Sequence, residues 1–413
     1  HPTAVFDRAS LQMEVPYSTT YGLTIVDLVT GDLNGDGHDD IVALGRGERD
    51  TAFDLPYEPT RRDAYLLVSR ADGLEGFEPG TAYPLGYPNQ QTTSVGGVAL
   101  GDVDGDGSLD IVAGTDQRLE VVTLLNDGSG AFPWLERTPV EQRPDTSVLV
   151  AELTGDTIAD VVFTSDHADL LVVLRGNGDG TFAPEVTMEA PNVRTLATID
   201  LDGSGDGVPG LIAGSGETAS TVTLDLWVRD TDPGSDTFGA WTGTPLTAPD
   251  PRSPDDIVEV GRAAQVGDVD GDGLPDVAAI SGACGFEAST LRTSCVRVLL
   301  NDGSGNLVGQ LPVYPVESNL YTTSGRVYGI NSGGEMWDVD GDGHLDVLAA
   351  GRRGSVSVLY GDGVGGFGAP IGWNAMPDMT PPGGWFNGPW SNGHWLATIG
   401  VAALDAGDGA ARL

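Results

Sequence analysis

One nine-residue acidic loop occurs four times in this chain: Asp32-Leu-Asn-Gly-Asp-Gly-His-Asp-Asp40, Asp102-Val-Asp-Gly-Asp-Gly-Ser-Leu-Asp110, Asp268-Val-Asp-Gly-Asp-Gly-Leu-Pro-Asp276 and Asp338-Val-Asp-Gly-Asp-Gly-His-Leu-Asp346. Each copy sets oxygen-bearing side chains at its first, third, fifth and ninth positions around a glycine-bent turn. The carbonyl of the seventh residue (His38, Ser108, Leu274, His344) supplies a further oxygen. A hard cation that takes six to eight oxygen ligands suits that spacing. Without a cation, carboxylates so crowded repel one another and titrate upward. The expected metal ligands are therefore Asp32, Asn34, Asp36, His38 and Asp40, and Asp102, Asp104, Asp106, Ser108 and Asp110. The later copies add Asp268, Asp270, Asp272, Leu274 and Asp276, and Asp338, Asp340, Asp342, His344 and Asp346. The ion is read as calcium, with about four strong sites and up to six in all.

Weaker relatives of the loop extend the pattern. Glu152-Leu-Thr-Gly-Asp156, closed by Asp160, changes the first and third ligands, leaving Glu152, Thr154, Asp156 and Asp160 as a weaker set. Asp200-Leu-Asp-Gly-Ser-Gly-Asp206 carries an insertion and offers Asp200, Asp202, Ser204 and Asp206. Asp405-Ala-Gly-Asp-Gly409 is shortened. Loop starts at 32, 102, 152, 200, 268, 338 and 405 give a period of 48 to 70 residues, which belongs to repeat architectures such as propellers. An apolar strand precedes each loop and another follows it, as with Val98-Ala-Leu100 and Ile111-Val-Ala113. A third strand leads to a Gly-rich hairpin ending on an aromatic, as in Asn126-Asp-Gly-Ser-Gly-Ala-Phe132, and a looser fourth strand follows. Continuous Val/Leu runs predict sheets covered on both faces. The loop flanks are strands and there is no Glu at position 12, which excludes an EF-hand.

This grammar resembles the FG-GAP (VCBS) repeat of integrin α-subunit propellers and of many bacterial exported proteins, and the layout is similar to that of a mushroom seven-bladed propeller lectin. The resemblance implies an all-β, seven-bladed β-propeller of four-stranded antiparallel blades, a single domain over 1–413. Residues 396–404 and 1–20 would close the last, incomplete blade from both termini. Six blades with a terminal extension is the alternative.

Composition narrows the partners. The net charge is −41, and the twenty basic residues are all arginine. Such a surface repels nucleic acid and anionic membranes, and no apolar run approaches the ~20 residues of a membrane-spanning helix. The missing lysine fits a GC-rich genome or adaptation to high salt. Weak, repeated calcium loops suit an outside compartment, so the chain is expected to be secreted or on the cell surface. Its only cysteines, Cys284 and Cys295, stand on strand–loop–strand flanks and are expected to pair as a local disulfide.

In an up-and-down blade, the 1–2 and 3–4 loops leave one end and the 2–3 and 4–1 loops the other. The acidic loops are 1–2 connections, while long insertions such as 45–62, 79–94 and 373–395 are of the other kind. Length beyond what a turn needs points to function at the end opposite the calcium. Several arginines fall there too (Arg46, Arg49, Arg61, Arg62, Arg118, Arg292, Arg352, Arg353), either as an anion site or as surface ion pairs. The segment 372–395 holds four of the eight tryptophans. Its Trp373, Trp385, Trp390, Asn392, His394 and Trp395 make either a sugar-stacking platform or a wedge packed where the ring closes. There is no Gly-x-Ser-x-Gly elbow, no His-Glu-x-x-His and no Cys-x-x-Cys, and no catalytic residue is assigned. The resulting expectation is a binding or adhesion module for a protein or surface glycan. The alternatives are a polysaccharide lyase or other glycan-processing enzyme, and a structural unit of a surface assembly or fibre.

Overall fold

The structure, a computed structural model, describes residues 23–48, 62–71, 76–86, 95–165, 167–190, 193–201, 209–215, 224–230, 239–246, 263–284, 293–309, 314–315, 334–351, 355–374, 404–405 and 411–412. Except for one 3-10 turn (Asp116–Arg118), every named element is a β-strand. The chain divides into two compact units. The first comprises residues 1–215, 225–245 and 400–413, and the second 216–224 and 246–399.

The first unit carries four antiparallel sheets, which we number as blades. Blade 1 is Leu23–Gly31, Asp40–Glu48, Arg62–Ser69 and Thr81–Pro84. Blade 2 is Val98–Gly101, Asp110–Thr115, Glu120–Leu125 and Trp134–Pro139. Blade 3 is Val148–Ala151, Asp160–Ser165, Leu170–Leu174 and Val186–Glu189. Blade 4 is Val193–Ile199, Gly210–Ser215, Leu224–Arg229 and Trp241–Leu246, two of whose end residues belong to the second unit. That unit holds blade 5 (Ala263–Gly267, Asp276–Cys284, Thr293–Asn301, Leu307–Gly309, with Tyr314–Pro315 added) and blade 6 (Gly334–Trp337, Asp346–Gly351, Ser355–Leu359, Ile371–Asn374). In every blade the strands lie side by side in chain order. The fold is all-β, of β-propeller type, with four-stranded antiparallel blades.

Six blades stand among the described residues, where the seven loop starts anticipated seven. Of the seventh unit, the described residues show Leu404–Asp405 paired with Ala411–Arg412. Its shortened loop has no ninth-position aspartate, the group that elsewhere holds the loop to its second strand. The strands expected from residues 1–20 and from 396–403 lie outside the described residues.

Burial explains the continuous apolar runs. Every residue of Asp110–Thr115 and of Asp160–Ser165 is buried, because neighbouring blades cover both faces of these second strands. Side chains of blades 1 and 2 interleave in one core (Val42, Leu44, Leu66, Ile111, Val122 and Leu124 among them), and those of blades 2 and 3 in the next. Fully burying one such Val or Leu contributes about 1.5–3 kcal/mol. Fourth strands are the wet edges, as Trp134–Pro139 shows with no buried residue. Two of the hairpin-end aromatics reach the preceding blade: Phe132 meets Tyr83 edge-on at 5.7 Å, and Phe367 meets Tyr314 at 5.5 Å.

Candidate metal centres

The second residue of each described loop anchors it. Leu33, Val103, Leu153, Val269 and Val339 are buried in the blade cores, which leaves the acidic residues on either side at the surface. The first-position aspartate then gathers the turn. One oxygen accepts the N–H of the fourth residue at 2.7 Å, and the other accepts that of the sixth at 2.8–2.9 Å, in all four full loops. That wrap requires positive φ at both donors, and glycine supplies it, as at Gly105 (79°) and Gly107 (90°). The fifth-position carboxylate accepts the N–H of the seventh residue, as Asp106 does from Ser108 at 2.8 Å.

The ninth-position aspartate has a role the sequence did not disclose. In all five described loops one of its oxygens accepts the N–H of the loop's second residue at 2.8–3.1 Å. The other accepts an N–H at or just beyond the end of the third strand at 2.8–2.9 Å, from Ala71, Asn126, Gly176, Asn301 or Gly361. Asp40, Asp110, Asp160, Asp276 and Asp346 are all buried. Each brackets loop, second strand and third strand together. Its recurrence in the degenerate third loop was the available signal, since that loop keeps Asp160 while losing other ligands.

Three groups of described carboxylates converge, each with its ligand oxygens all within 4.8 Å: Asp102, Asp104 and Asp110; Asp268, Asp270 and Asp276; Asp338, Asp340 and Asp346. Burial pushes the Asp110 carboxyl up to about 6. Two backbone donors oppose that rise, and the charges of Asp104 and Asp102 add to it. Asp346 is pushed to about 6 in the same way, by burial and then by Asp340 and Asp338. Asp276 and Asp40 also rise, chiefly through burial. Asp32 goes the other way: burial acts to raise it, but N–H donors from Gly37, Gly35, Asp36 and Asn34 together bring it below the usual carboxylate value. A half-buried triad of hard oxygens under mutual repulsion fits a hard divalent cation. The first loop has Asn34 in the third place. This amide is tied to Asp36 through Nδ2 (2.9 Å) and Oδ1 (3.0 Å), so the loop brings one negative charge fewer.

A pH dependence follows from these shifts. Asp110 and Asp346 titrate near 6 when folded and near 3.8 when unfolded, so between those values the native state holds protons that the unfolded state has released. Their contribution to stability is therefore present in acid and lost as pH rises through about 6. Calcium-stripped protein is expected to melt higher at pH 5 than at pH 7. The stabilisation gained on adding calcium is expected to grow across the same window, because the ion displaces those protons. Melting curves at the two pH values, with and without calcium, check both statements.

The third loop is built differently. Glu152 accepts N–H bonds from Thr154 (2.8 Å) and Gly155 (2.7 Å), imitating the usual first residue. Thr157 takes φ 69° where the full loops have glycine. The Arg175 guanidinium places both Nε and Nη2 2.7 Å from Asp156 Oδ2, and Arg229 donates to the Thr154 carbonyl at 2.7 Å. Like the carboxylates of the first loop, Glu152, Asp156 and Asp160 form no convergent group, but here the charge is also taken up by arginine. These residues do not fit a cation: arginine supplies the positive charge, and threonine replaces a carboxylate. Replacing Glu152 with Gln is expected to leave the number of bound calcium ions unchanged, whereas Asp268→Asn removes one, as native mass spectrometry would count. In the loop from Asp200, residues 202–208 lie outside the described residues, so Asp202, Ser204 and Asp206 are not placed.

Of the other expected site residues, Trp373 lies in the fourth strand of blade 6. Trp385, Trp390, Asn392, His394 and Trp395 lie outside the described residues. In blade 5, Cys284 is registered opposite Thr293 and Cys295 opposite Ser281, so the cysteines are diagonal neighbours across a strand pair.

Blades and loops together define a repeat protein of the β-propeller class. Residues 32–113 and 102–163 match the FG-GAP-like repeat family. The chain carries FG-GAP-like repeats. No curated protein matches its sequence at a significant level. Among solved structures, an Agrocybe aegerita lectin described as recognising non-reducing terminal N-acetylglucosamine is similar over 85% of this chain and 80% of its own, at 21% identity and a TM-score of 0.50. That likeness is one of fold. The Pseudomonas aeruginosa PilY1 C-terminal domain matches over 74% of this chain and 78% of its own (13% identity, TM-score 0.44). A mutant of AofleA from Arthrobotrys oligospora matches over 89% and 95% (9% identity, TM-score 0.43).

Proposed function

We propose that this chain is an extracellular β-propeller, one domain over 1–413, stapled by calcium and acting as a binding module for a glycan or protein. The observation that carries the reading is the threefold convergence of first, third and ninth carboxylates on propeller blades. Millimolar calcium outside cells would keep such shallow, solvent-facing sites filled. The loops serve as staples because their residues are spent on turn geometry and offer no open position for substrate. Function then falls to the opposite ends of the blades, where the 2–3 and 4–1 connections include the longest insertions. The Agrocybe lectin's printed specificity makes a glycan the first ligand class to try. Among the described residues no helix is long and apolar enough to cross a membrane.

A glycan array probed with labelled protein in millimolar calcium tests the reading. Saturable binding that Trp385→Ala or Trp390→Ala abolishes would support it and place the site. Silence across the array and against extracellular-matrix proteins would count against a binding module. Cys284 and Cys295 are proposed as a disulfide, and a denatured sample should then show no thiol reactive with Ellman's reagent until reduced.

A further inference from the structure

We infer that Asn126 couples the first two ion loops, so that sites 1 and 2 fill cooperatively. The inference rests on the calcium reading above and adds a linkage between two of its sites.

Asn126 stands just after the third strand of blade 2 and is buried. Its backbone N–H donates to Asp110 Oδ1 at 2.9 Å, and Asp110 belongs to the triad of loop 2. Its side chain spans to the neighbouring blade, with Nδ2 donating to the Leu33 carbonyl at 2.8 Å and to the Leu109 carbonyl at 2.9 Å. Leu33 lies between Asp32 and Asn34, and its own N–H donates to Asp40. One residue therefore touches the backbone inside loop 1 and a carboxylate of loop 2. The amide oxygen is engaged as well, accepting from Gly128 (3.0 Å) and Gly130 (3.1 Å), which fixes which way the amide faces. The same hairpin leans on loop 1: a Cβ on Gly130 would lie 3.3 Å from the Asn34 Cβ.

Blade 5 repeats the asparagine as Asn301, whose N–H donates to Asp276 at 2.8 Å and whose amide oxygen accepts from Gly303 at 3.0 Å. Two other junctions differ. Blades 3 and 6 have Gly176 and Gly361 in this place, so they lack the side-chain bridge. Their hairpins reach the preceding loop by single backbone bonds, Gly180 to the Val103 carbonyl at 3.3 Å and Gly365 to the Val269 carbonyl at 3.1 Å. Ordering Asp32–Asn34 about an ion fixes the Leu33 carbonyl. A fixed carbonyl fixes the Asn126 amide, and the Asn126 backbone sets Asp110. Each occupied loop lowers the ordering cost of the other, which is a coupling free energy and so is reciprocal.

The test is a mutant cycle read by hydrogen exchange on the full chain across a calcium titration, following peptides that cover 32–40, 102–110 and 338–346. Asp104→Ala disables site 2 from within loop 2, where asparagine would only reproduce the ligand set of loop 1. The expected result is that it raises the calcium midpoint for protection of loop 1 by about fivefold or more, the lower end of ordinary allosteric couplings, and leaves loop 338–346 unmoved. Asn126→Asp keeps the backbone donor and the two glycine contacts but removes the Nδ2 donor. In that background Asp104→Ala is expected to shift loop 1 by less than about twofold, a residual too small to count as coupling. A loop 1 midpoint indifferent to Asp104→Ala, or a shift undiminished by Asn126→Asp, overturns the coupling. Loops that calcium never protects overturn the calcium reading itself, a separate failure.

Discussion

Removing calcium is expected to lower the melting temperature by about 10–20 °C. The protein has three convergent triads among its described residues, and a site held at about a hundred times its dissociation constant adds roughly 2.7 kcal/mol, or about 8 kcal/mol for the three. For a domain of 150–250 residues, 1 kcal/mol moves the transition by roughly 2–4 °C, and less in a longer chain, which gives the range stated. The direction has a structural cause. Without the ion, Asp102, Asp104 and Asp110 share a volume less than 5 Å across, and Asp110 can relieve the repulsion only by taking a proton. At neutral pH it holds few, so the empty loop stores repulsion that unfolding releases. Differential scanning calorimetry in excess calcium, then after chelation and dialysis, measures the shift. A transition that stays put would remove calcium from the account of this fold. Magnesium in its place should restore little, because it demands tight octahedral geometry and keeps its water.

The loop positions, the blade grammar and the buried second strands were legible in the sequence because they are local or periodic. A nine-residue motif that repeats announces its own turn, and a Val/Leu run without alternation announces cover on both faces. The blade count was not legible. A loop start at Asp405 looks like a seventh unit, but a blade needs four paired strands, and among the described residues Leu404–Asp405 with Ala411–Arg412 is the pairing found there. The exclusion of blade 3 from the ion sites was half legible. Thr154 in the third place was visible, whereas Arg175 lies nineteen residues from Asp156 and Arg229 comes from the next blade. Contacts between blades follow no fixed offset in sequence, and for the same reason nothing local could have shown Asn126 reaching Leu33.

The ninth-position aspartate permits the sharpest separation of metal from scaffold. Asp160 belongs to a loop that does not fit an ion, yet it accepts from Leu153 at 2.9 Å and Gly176 at 2.9 Å, as its counterparts do. Replacing it with asparagine presents an amide N–H₂ to one of two buried N–H donors and strands that donor. Leaving such a group unsatisfied, with one bond lost, costs about 2–4 kcal/mol. Asp160→Asn is therefore expected to lower the melting temperature by about 3–10 °C, equally in calcium and in chelator. Asp104→Ala should do the opposite. Its carboxylate is part of the second triad and brackets no strand, so the variant should melt at or a little above the parent once calcium is gone, the empty triad's repulsion being relieved, and fall behind only when calcium is present. If Asp160→Asn were harmless in chelator, the bracket would not be holding the blade. If Asp104→Ala were as damaging without calcium as with it, the triad would be scaffold rather than ligand. Asp110→Asn, which sits in both roles, should lose stability in either buffer and lose more in calcium.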